Sequence, residues 1–165
     1  MQKFIRRISV GLIFTLALSA CGFQLRGIAE LSFKNLYIQG SPLSISKDLK
    51  HALKTNGIQV VDSVEQAELL IELLNESNEK RILSLSGKGV VREFELTYRV
   101  SFRTREPASA TWSAPQTVQT RRDFSYSDNA LLGKAEEEVL LNNDMHKDAV
   151  REVMRRLTAI KLTAK

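Results

Sequence analysis

The hydrophobic and polar positions of the chain change period several times, and each period predicts a different element. From residue 90 to residue 103 the side chains alternate, so that successive residues belong to opposite faces of an extended segment. This period of two predicts a strand that packs one face on a core and exposes the other. The predicted buried face carries Val90, Phe94, Leu96, Tyr98, Val100 and Phe102, and the predicted polar face carries Val91, Glu93, Glu95, Thr97, Arg99, Ser101 and Arg103.

A turn is predicted immediately before this strand. Residues 86–89 have the sequence SGKG, and paired glycines at this spacing are typical of a hairpin turn. Arg92 interrupts the alternation, because it falls on the apolar face close to the turn. A buried guanidinium without a partner is costly, so Arg92 must lie at the rim of the sheet, pair with an acid or meet an anionic ligand.

A spacing of 3.6 residues predicts two helices. Ser41 has the residue type of a helix cap, so the first helix is predicted over Pro42–Thr55, with Gly57 just beyond its end. The second helix is predicted over Asn129–Ile160, and the polar residues Asn142–Asp144 are predicted to loosen or kink its middle. Its apolar stripe consists of Leu131, Ala135, Val139, Ala149, Val153, Leu157 and Ile160.

The remaining apolar segments are short and predict further strands. The nearly continuous apolar run within Ala67–Asn75 fits either a strand buried on both faces or a short helix, and polar clusters around it favour the strand. Pro115 predicts an irregular or edge position for the last strand. The other predicted strands are Phe33–Gln39, Ile58–Val61 and Trp112–Phe124. The expected fold is α+β, a two-layer sandwich whose mostly antiparallel sheet of four to five strands is covered on one face by two helices.

The N-terminal segment predicts export and anchoring. Lys3, Arg6 and Arg7 precede the apolar run Ile8–Ala20, which has the length of a signal sequence and is shorter than the ~20 residues that span a bilayer. Small residues then lead to Cys21, the only cysteine, in a pattern that resembles a bacterial lipobox. Cys21 is therefore expected to become the lipidated N-terminus, and the alternative is an ordinary secreted protein with a free thiol.

This assignment divides the chain into a lipoprotein signal peptide (1–20), a lipidated tether (21–32) and one α+β domain (33–165). Removing residues 1–20 lowers the formal net charge from +5 to +2, so the sequence pI of 9.5 does not indicate a nucleic-acid partner. By resemblance to Gram-negative lipoproteins, in which Asp after the cysteine favours retention at the inner membrane, Gly22 implies the outer membrane as the expected location.

No chemistry typical of an enzyme is recognisable in the sequence. His51 and His146 have no other His or Cys at the spacing of metal ligands, and no nucleophile elbow or P-loop is present, so we expect neither a metal nor catalysis. Basic residues are concentrated around the predicted hairpin and beyond it, where they either form an ordinary charged surface or meet phosphate groups. They are Lys80, Arg81, Lys88, Arg92, Arg99, Arg103, Arg105, Arg121, Arg122 and Lys134.

Three segments in this order resemble the LptE family of lipopolysaccharide-assembly lipoproteins. They are CGFQLRG at 21–27, GVVREFELTYRV at 89–100, and RDFSY at 122–126 leading into LLGKAE at 131–136. The resemblance implies a non-catalytic protein that plugs the LptD β-barrel, helps it assemble and binds lipopolysaccharide. It implies no cofactor apart from covalent lipid on Cys21, an S-diacylglycerol with an N-acyl chain.

The resemblance also implies which residues contact lipopolysaccharide. Lys134 matches the family's basic position at the start of the last helix, and the hairpin position is either Lys88 or Arg92. The expected location is the inner leaflet of the outer membrane, with the body in the barrel lumen. A rival hypothesis is a pilotin-like lipoprotein adaptor that escorts another outer-membrane channel and does not contact lipopolysaccharide.

Overall fold

The structure, a computed structural model, describes residues 31–162, so the predicted signal peptide and Cys21 lie outside the described residues. Two short 3-10 turns, Val64–Gln66 and Asp128–Ala130, precede the third strand and the last helix. The described elements are β1 (Asn35–Gln39), α1 (Ile45–Thr55), β2 (Gln59–Val61), β3 (Leu69–Leu85), β4 (Val91–Arg105), β5 (Gln116–Ser125) and α2 (Leu131–Thr158).

The strands form one mixed sheet in the order β2-β1-β3-β4-β5. The long pairs, β3 with β4 and β4 with β5, are antiparallel, whereas the short strand β1 is parallel to both β2 and β3. The β1–β2 pair is parallel because α1 carries the chain back between these two strands, as a parallel connection requires. The predicted α+β class is confirmed, and the predicted sheet is antiparallel along its long strands only.

Both helices contribute to the core on one face of the sheet, which we call the helix face. On β4, Leu96, Tyr98, Val100 and Phe102 are buried there, in agreement with the predicted alternation. They pack in one cluster with side chains of β1, β3 and β5 and with buried residues of both helices. The helix contributions are Ile45, Leu49 and Leu53 from α1, and Met145, Ala149, Val150, Val153, Met154 and Leu157 from α2.

The first helix begins later than predicted. It starts at Ile45 after Ser44, so Ser41 is not its cap and Pro42 is not its first residue. The Ser44 backbone N–H donates to a carboxylate oxygen of Glu76 on β3 at 2.7 Å, and its hydroxyl donates to the other carboxylate oxygen. A cross-link to the sheet therefore takes the place of a local helix cap.

The third strand is longer than predicted, because it continues through the polar segment that follows Asn75. Cross-strand bonding to β4 maintains the strand here, although the sequence lacks a hydrophobic period. The last helix is uninterrupted across Asn142–Asp144, and the predicted loosening is absent from its hydrogen-bonding pattern. Pro115 precedes β5, which is an edge strand of the sheet, as predicted.

The molecule has two distinct ends. The root is the end of the sheet where β1 and β3 begin and β4 ends. The tip, at the opposite end, comprises the β3–β4 turn with the adjoining strand ends, the end of β5 and the first three turns of α2. The 17 residues of β3 span about 50 Å between them, at the usual rise per residue of a strand.

Candidate functional site

The β3–β4 turn fixes the backbone at the tip. The Gly89 N–H donates to the Ser86 carbonyl at 2.9 Å, and the Ser86 N–H donates to the Val90 carbonyl at 2.7 Å. Gly89 has φ of +78°, a left-handed conformation that glycine adopts without steric cost. Lys88 lies within this turn and is exposed.

A cleft of about 660 Å³ separates the turn from the segment that joins β5 to α2. The backbone of this joining segment is attached to the hairpin, because the Tyr126 N–H donates to the Arg92 carbonyl at 2.7 Å. The Tyr126 ring also meets the Phe94 ring edge to face, with 5.1 Å between ring centroids. Lys88 and Arg92 both line the cleft, so the structure brings the two alternative hairpin positions together.

Most of the basic residues singled out in the sequence are paired with acids. Within the described residues, Lys88 and Arg92 have no carboxylate partner within 4 Å, and both are exposed. Arg105 also lacks one, but its guanidinium lies over the Trp112 ring and donates to the Ser109 carbonyl at 2.6 Å. The paired residues are Arg81 and Arg121 with Glu95, Arg99 with Glu79, Arg103 with Glu72, Arg122 with Asp148, and Lys80 with Glu138. Of these ten basic residues, Lys88 and Arg92 are therefore the two that have neither an acidic nor an aromatic partner within residues 31–162.

Lys134 lies at the tip but is not a free cation. Its ammonium group is 2.7 Å from a Glu137 carboxylate oxygen and 3.0 Å from the Ser125 hydroxyl, and its side chain is only 20% exposed. It therefore connects the end of β5 to the first turns of α2. An acid three residues further along a helix is a recognisable pairing signal, so this partner was visible in the sequence.

The tip also exposes an unusual share of apolar surface. Within the described residues, every large hydrophobic side chain that is strongly exposed belongs to the tip, apart from Leu74. Leu131 and Val139, which the sequence assigns to the core-facing stripe of α2, are among them. The exposed set at the tip is Ile82, Leu83, Leu85, Val90, Leu131, Leu132, Val139 and Leu140.

Two aromatic rings on neighbouring strands pack next to the tip. The Phe94 and Phe124 rings lie 5.8 Å apart on neighbouring strands, and the Lys80 ammonium lies 4.3 Å from the centre of the Phe94 ring. The same ammonium is 2.5 Å from a Glu138 carboxylate oxygen on α2. These contacts attach the hairpin to the helix, because a cation over an aromatic face is attracted by the ring electrons.

The face of the sheet opposite the helices contains a buried carboxylate that the sequence did not reveal. Glu95 was predicted on the polar face and lies there, but it is only 3% exposed. One of its oxygens is 2.5 Å from the Arg81 Nε and the other is 3.1 Å from the Arg121 Nε. The hydrogen bond from Arg81, helped by the charge of Arg121, lowers the pKa of Glu95 below its usual value although burial opposes the shift.

The described part of the chain contains no group of three or more His, Cys, Asp or Glu side chains placed to hold a metal ion. His51 is exposed, and His146 is half-buried with its Nδ1 3.7 Å from an Asp48 carboxylate oxygen. Between residues 31 and 162, no helix has the combination of length and apolar character that crossing a bilayer requires.

Comparisons with known proteins agree with this architecture. A family model described as LptE, lipopolysaccharide-assembly, matches residues 33–157. The LPS-assembly lipoprotein LptE of Photorhabdus laumondii is 26% identical over 151 residues, which cover 88% of this chain and 81% of the relative.

Two solved structures share the fold. The solution structure of an uncharacterized lipoprotein B from Nitrosomonas europaea is 40% identical and superposes with a TM-score of 0.74, over 84% of this chain and 91% of that chain. The crystal structure of the rare lipoprotein B from Shewanella oneidensis is 26% identical with a TM-score of 0.66, over 74% and 92%.

The mixed sheet with its one-sided helix layer is thus the fold of a class of small bacterial lipoproteins. Within this class, the chain belongs to the LptE family, because the family model matches most of its length. The family is involved in lipopolysaccharide assembly, in agreement with the resemblance found in the sequence.

Proposed function

We propose that this protein binds the phosphorylated headgroup of lipopolysaccharide at its tip while its body occupies the lumen of the LptD β-barrel. The observation that carries the proposal is the presence of two unpaired cations, Lys88 and Arg92, in one cleft at the end of the molecule. The role is non-catalytic, and the covalent lipid on Cys21 anchors the chain to the outer membrane.

The chemistry of the cleft suits a phosphate ligand. A guanidinium donates two parallel hydrogen bonds to phosphate oxygens, and an ammonium adds a point charge. The other arginines nearby have carboxylate partners, so binding a phosphate to them would require breaking an ion pair. Lys134 joins the site by exchanging Glu137 for the ligand, since its Nζ bonds to Ser125, the residue before Tyr126 in the lining of the cleft.

The length of the molecule supports its placement across a membrane. The described chain enters at the root, where Leu31 packs against the core just before β1. The tip lies about 50 Å away, and a bilayer with its headgroup regions is about 40–45 Å thick. A body anchored at the inner leaflet and standing in a barrel would therefore bring Lys88 and Arg92 to the level of the opposite leaflet.

The uncovered face of the sheet suits a hydrated barrel lumen. It presents charged and hydroxyl side chains from three strands, including Arg99, Ser101 and Arg103. The inward-facing residues of large outer-membrane barrels are polar, so both surfaces stay hydrogen-bonded when they meet. Partial pairing of the arginines with acids keeps this face close to neutral.

Charge reversal tests the headgroup site. In a Cys21→Ala form of the mature chain, Lys88→Glu or Arg92→Glu combined with Lys134→Glu should weaken lipopolysaccharide binding by about tenfold or more, because attraction becomes repulsion. Binding is measured by titration with purified lipopolysaccharide. The melting temperature should stay within a few degrees of the parent, because none of these side chains lies in the core.

The matched control is Lys47→Glu with Lys50→Glu, which makes the same charge change on exposed residues of α1. It should leave the affinity unchanged. If both double variants at the tip bound lipopolysaccharide as tightly as the parent, or if the control lost as much affinity, the assignment of the site would be wrong.

A further inference from the structure

The last helix carries one apolar stripe that is buried in its second half and exposed in its first. Leu132, Val139, Val150 and Leu157 follow one another at intervals of 7 and 11 residues, which are close to whole numbers of helical turns, so they share a face. Val150 and Leu157 are 6% and 0% exposed, whereas Leu132 and Val139 are 83% and 60% exposed. The sequence continues the stripe without change, but its environment changes along the helix.

The change of environment arises because α1 covers only part of α2. His146, on the same side of α2 as the stripe, reaches Asp48 on α1, with 3.7 Å between the ring nitrogen and the carboxylate oxygen. The first helix begins beside Glu76, where Ser44 is attached to β3. No helix of the described chain covers the stripe beyond that point, so the first three turns of α2, although attached to the sheet on another side, extend past the end of the helix layer.

The uncovered surface is larger than the stripe alone. Leu131 and Leu140 flank it on α2, and Ile82 on β3 lies on the helix face of the sheet without a helix above it. A shallow depression of about 460 Å³ is lined by Ala135, Glu136, Val139 and Leu140. Burying one such side chain is worth roughly 1.5–3 kcal/mol, so a ligand that covered several would bind with considerable affinity.

The charges beside this surface indicate what covers it. Lys88 and Arg92, two exposed cations without an acid partner in the described chain, line the cleft at the same end of the molecule, and Asn129, three residues before Leu132, lines it too. An apolar surface with free cations at one end, and with Glu136 on its flank, fits an amphiphile whose anionic headgroup lies at the cations and whose hydrocarbon lies along the helix.

We propose that the exposed stripe on the first half of α2, centred on Leu132 and Val139, is a binding site for the fatty acyl chains of lipopolysaccharide. This inference rests on the proposed function, in which Lys88 and Arg92 bind the headgroup of the same molecule. The tip then binds both parts of one amphiphile, with phosphates in the cleft and hydrocarbon on the helix.

The test uses two probes and one pair of variants. The probes are intact lipopolysaccharide and the same lipopolysaccharide with its fatty acyl chains removed chemically. The protein is the Cys21→Ala mature chain, unaltered or carrying Leu132→Ser with Val139→Ser. The matched control is Leu74→Ser, which removes an exposed leucine remote from the tip.

The unaltered chain should bind intact lipopolysaccharide about tenfold or more tightly than the deacylated form. The double variant should lose about that factor for the intact probe and nothing for the deacylated probe. The control should behave as the unaltered chain towards both. Thermal unfolding should be unchanged in the double variant, because neither side chain packs in the core.

Each other outcome overturns a different statement. Equal binding of the two probes, with no effect of the double variant, would remove the acyl site and leave the headgroup site intact. Absence of binding to either probe would remove the proposed function as well. If the double variant kept its affinity but lost self-association in sedimentation, or lost retention of the barrel protein, the stripe would be a protein interface and the acyl site would be wrong.

Discussion

Gly40 illustrates how one residue determines the connection between the first strand and the first helix. It follows β1 with φ of +104°, a conformation that other residues rarely adopt. A Cβ placed on it would lie 2.7 Å from the backbone carbonyl oxygen of Leu73 on β3. Since that oxygen belongs to the sheet backbone, the collision cannot be relieved by rotating a side chain.

Gly40→Ala should therefore lower the free energy of unfolding by roughly 2–4 kcal/mol, from backbone strain and the collision together. Gly57→Ala is the matched control, because Gly57 also has positive φ, of +78°, but a Cβ added to it would meet no atom within 4 Å. It should cost about 1 kcal/mol. Urea unfolding measures both, and equal losses would show that the approach to Leu73 does not matter.

The functional side chains show what residue-level reasoning can and cannot predict. The unusual position of Arg92 was evident, because it interrupts an otherwise regular alternation, and the structure places it exposed at the rim. The ion pair of Lys134 with Glu137 follows from their spacing. The freedom of Lys88 could not be predicted, because it depends on which neighbouring cations find acids on other strands.

At the scale of elements, the three long strands are joined on the uncovered face by an ion cluster. Glu95 on β4 lies between Arg81 on β3 and Arg121 on β5. Alternation predicts the face on which Glu95 lies, but its burial depends on the register of three strands, which the sequence does not specify. The cluster therefore could not be predicted from a single strand.

Glu95→Gln should destabilise the domain at neutral pH, because it leaves two guanidinium groups beside an uncharged amide. The folded-state pKa of Glu95 is lowered, so its contribution is complete above the unfolded value near 4.5 and is lost as the pH falls through the lower folded value. The stability difference between the parent and the variant should therefore shrink from about pH 7 to about pH 3, as measured by urea unfolding.

Glu79→Gln is the comparison for this prediction, since Glu79 pairs with Arg99 at 2.8 Å but is more than half exposed. It should have a much smaller effect at neutral pH, because solvent screens an exposed pair. A Glu95→Gln variant whose deficit is constant across this pH range would contradict a role for the ionised carboxylate.

The boundaries of the strands and helices are predictable where a local sequence pattern determines them, and unpredictable where contacts distant in sequence do. The alternating strand β4 and the end of α1 at Thr55 agree with prediction, because a local pattern determines each of them. The start of α1 and the second half of β3 were predicted wrongly. Ser44 bonds to Glu76 across the fold, and β3 continues because β4 lies beside it, so both features depend on contacts distant in sequence.

At the scale of the whole molecule, the two helices differ greatly in length. The first has 11 residues and the second has 28, so the helix layer is complete at the root and incomplete at the tip. The sequence predicts two amphipathic helices of these approximate lengths, but not where they lie relative to each other. The exposed leucines of α2 consequently could not be distinguished from core residues by their spacing alone.

The root and the tip of the molecule therefore have different surfaces. The described chain begins at the root, the polar sheet face runs along the length, and the cleft with Lys88 and Arg92 and most of the exposed large apolar side chains lie at the tip. A body with this organisation suits a protein that is held at one end and meets an amphiphile at the other. The proposed function requires a surrounding pore that accommodates the polar sheet face.

The most direct test is purification of the protein, expressed with its own N-terminal segment, from outer membranes solubilised in mild detergent, followed by identification of what remains bound. We expect a one-to-one complex with the LptD β-barrel that survives Cys21→Ala substitution, because the lumen and not the lipid holds the body. Recovery of the protein without a barrel, or with a secretion channel as a pilotin would be, would contradict the proposed placement in the lumen.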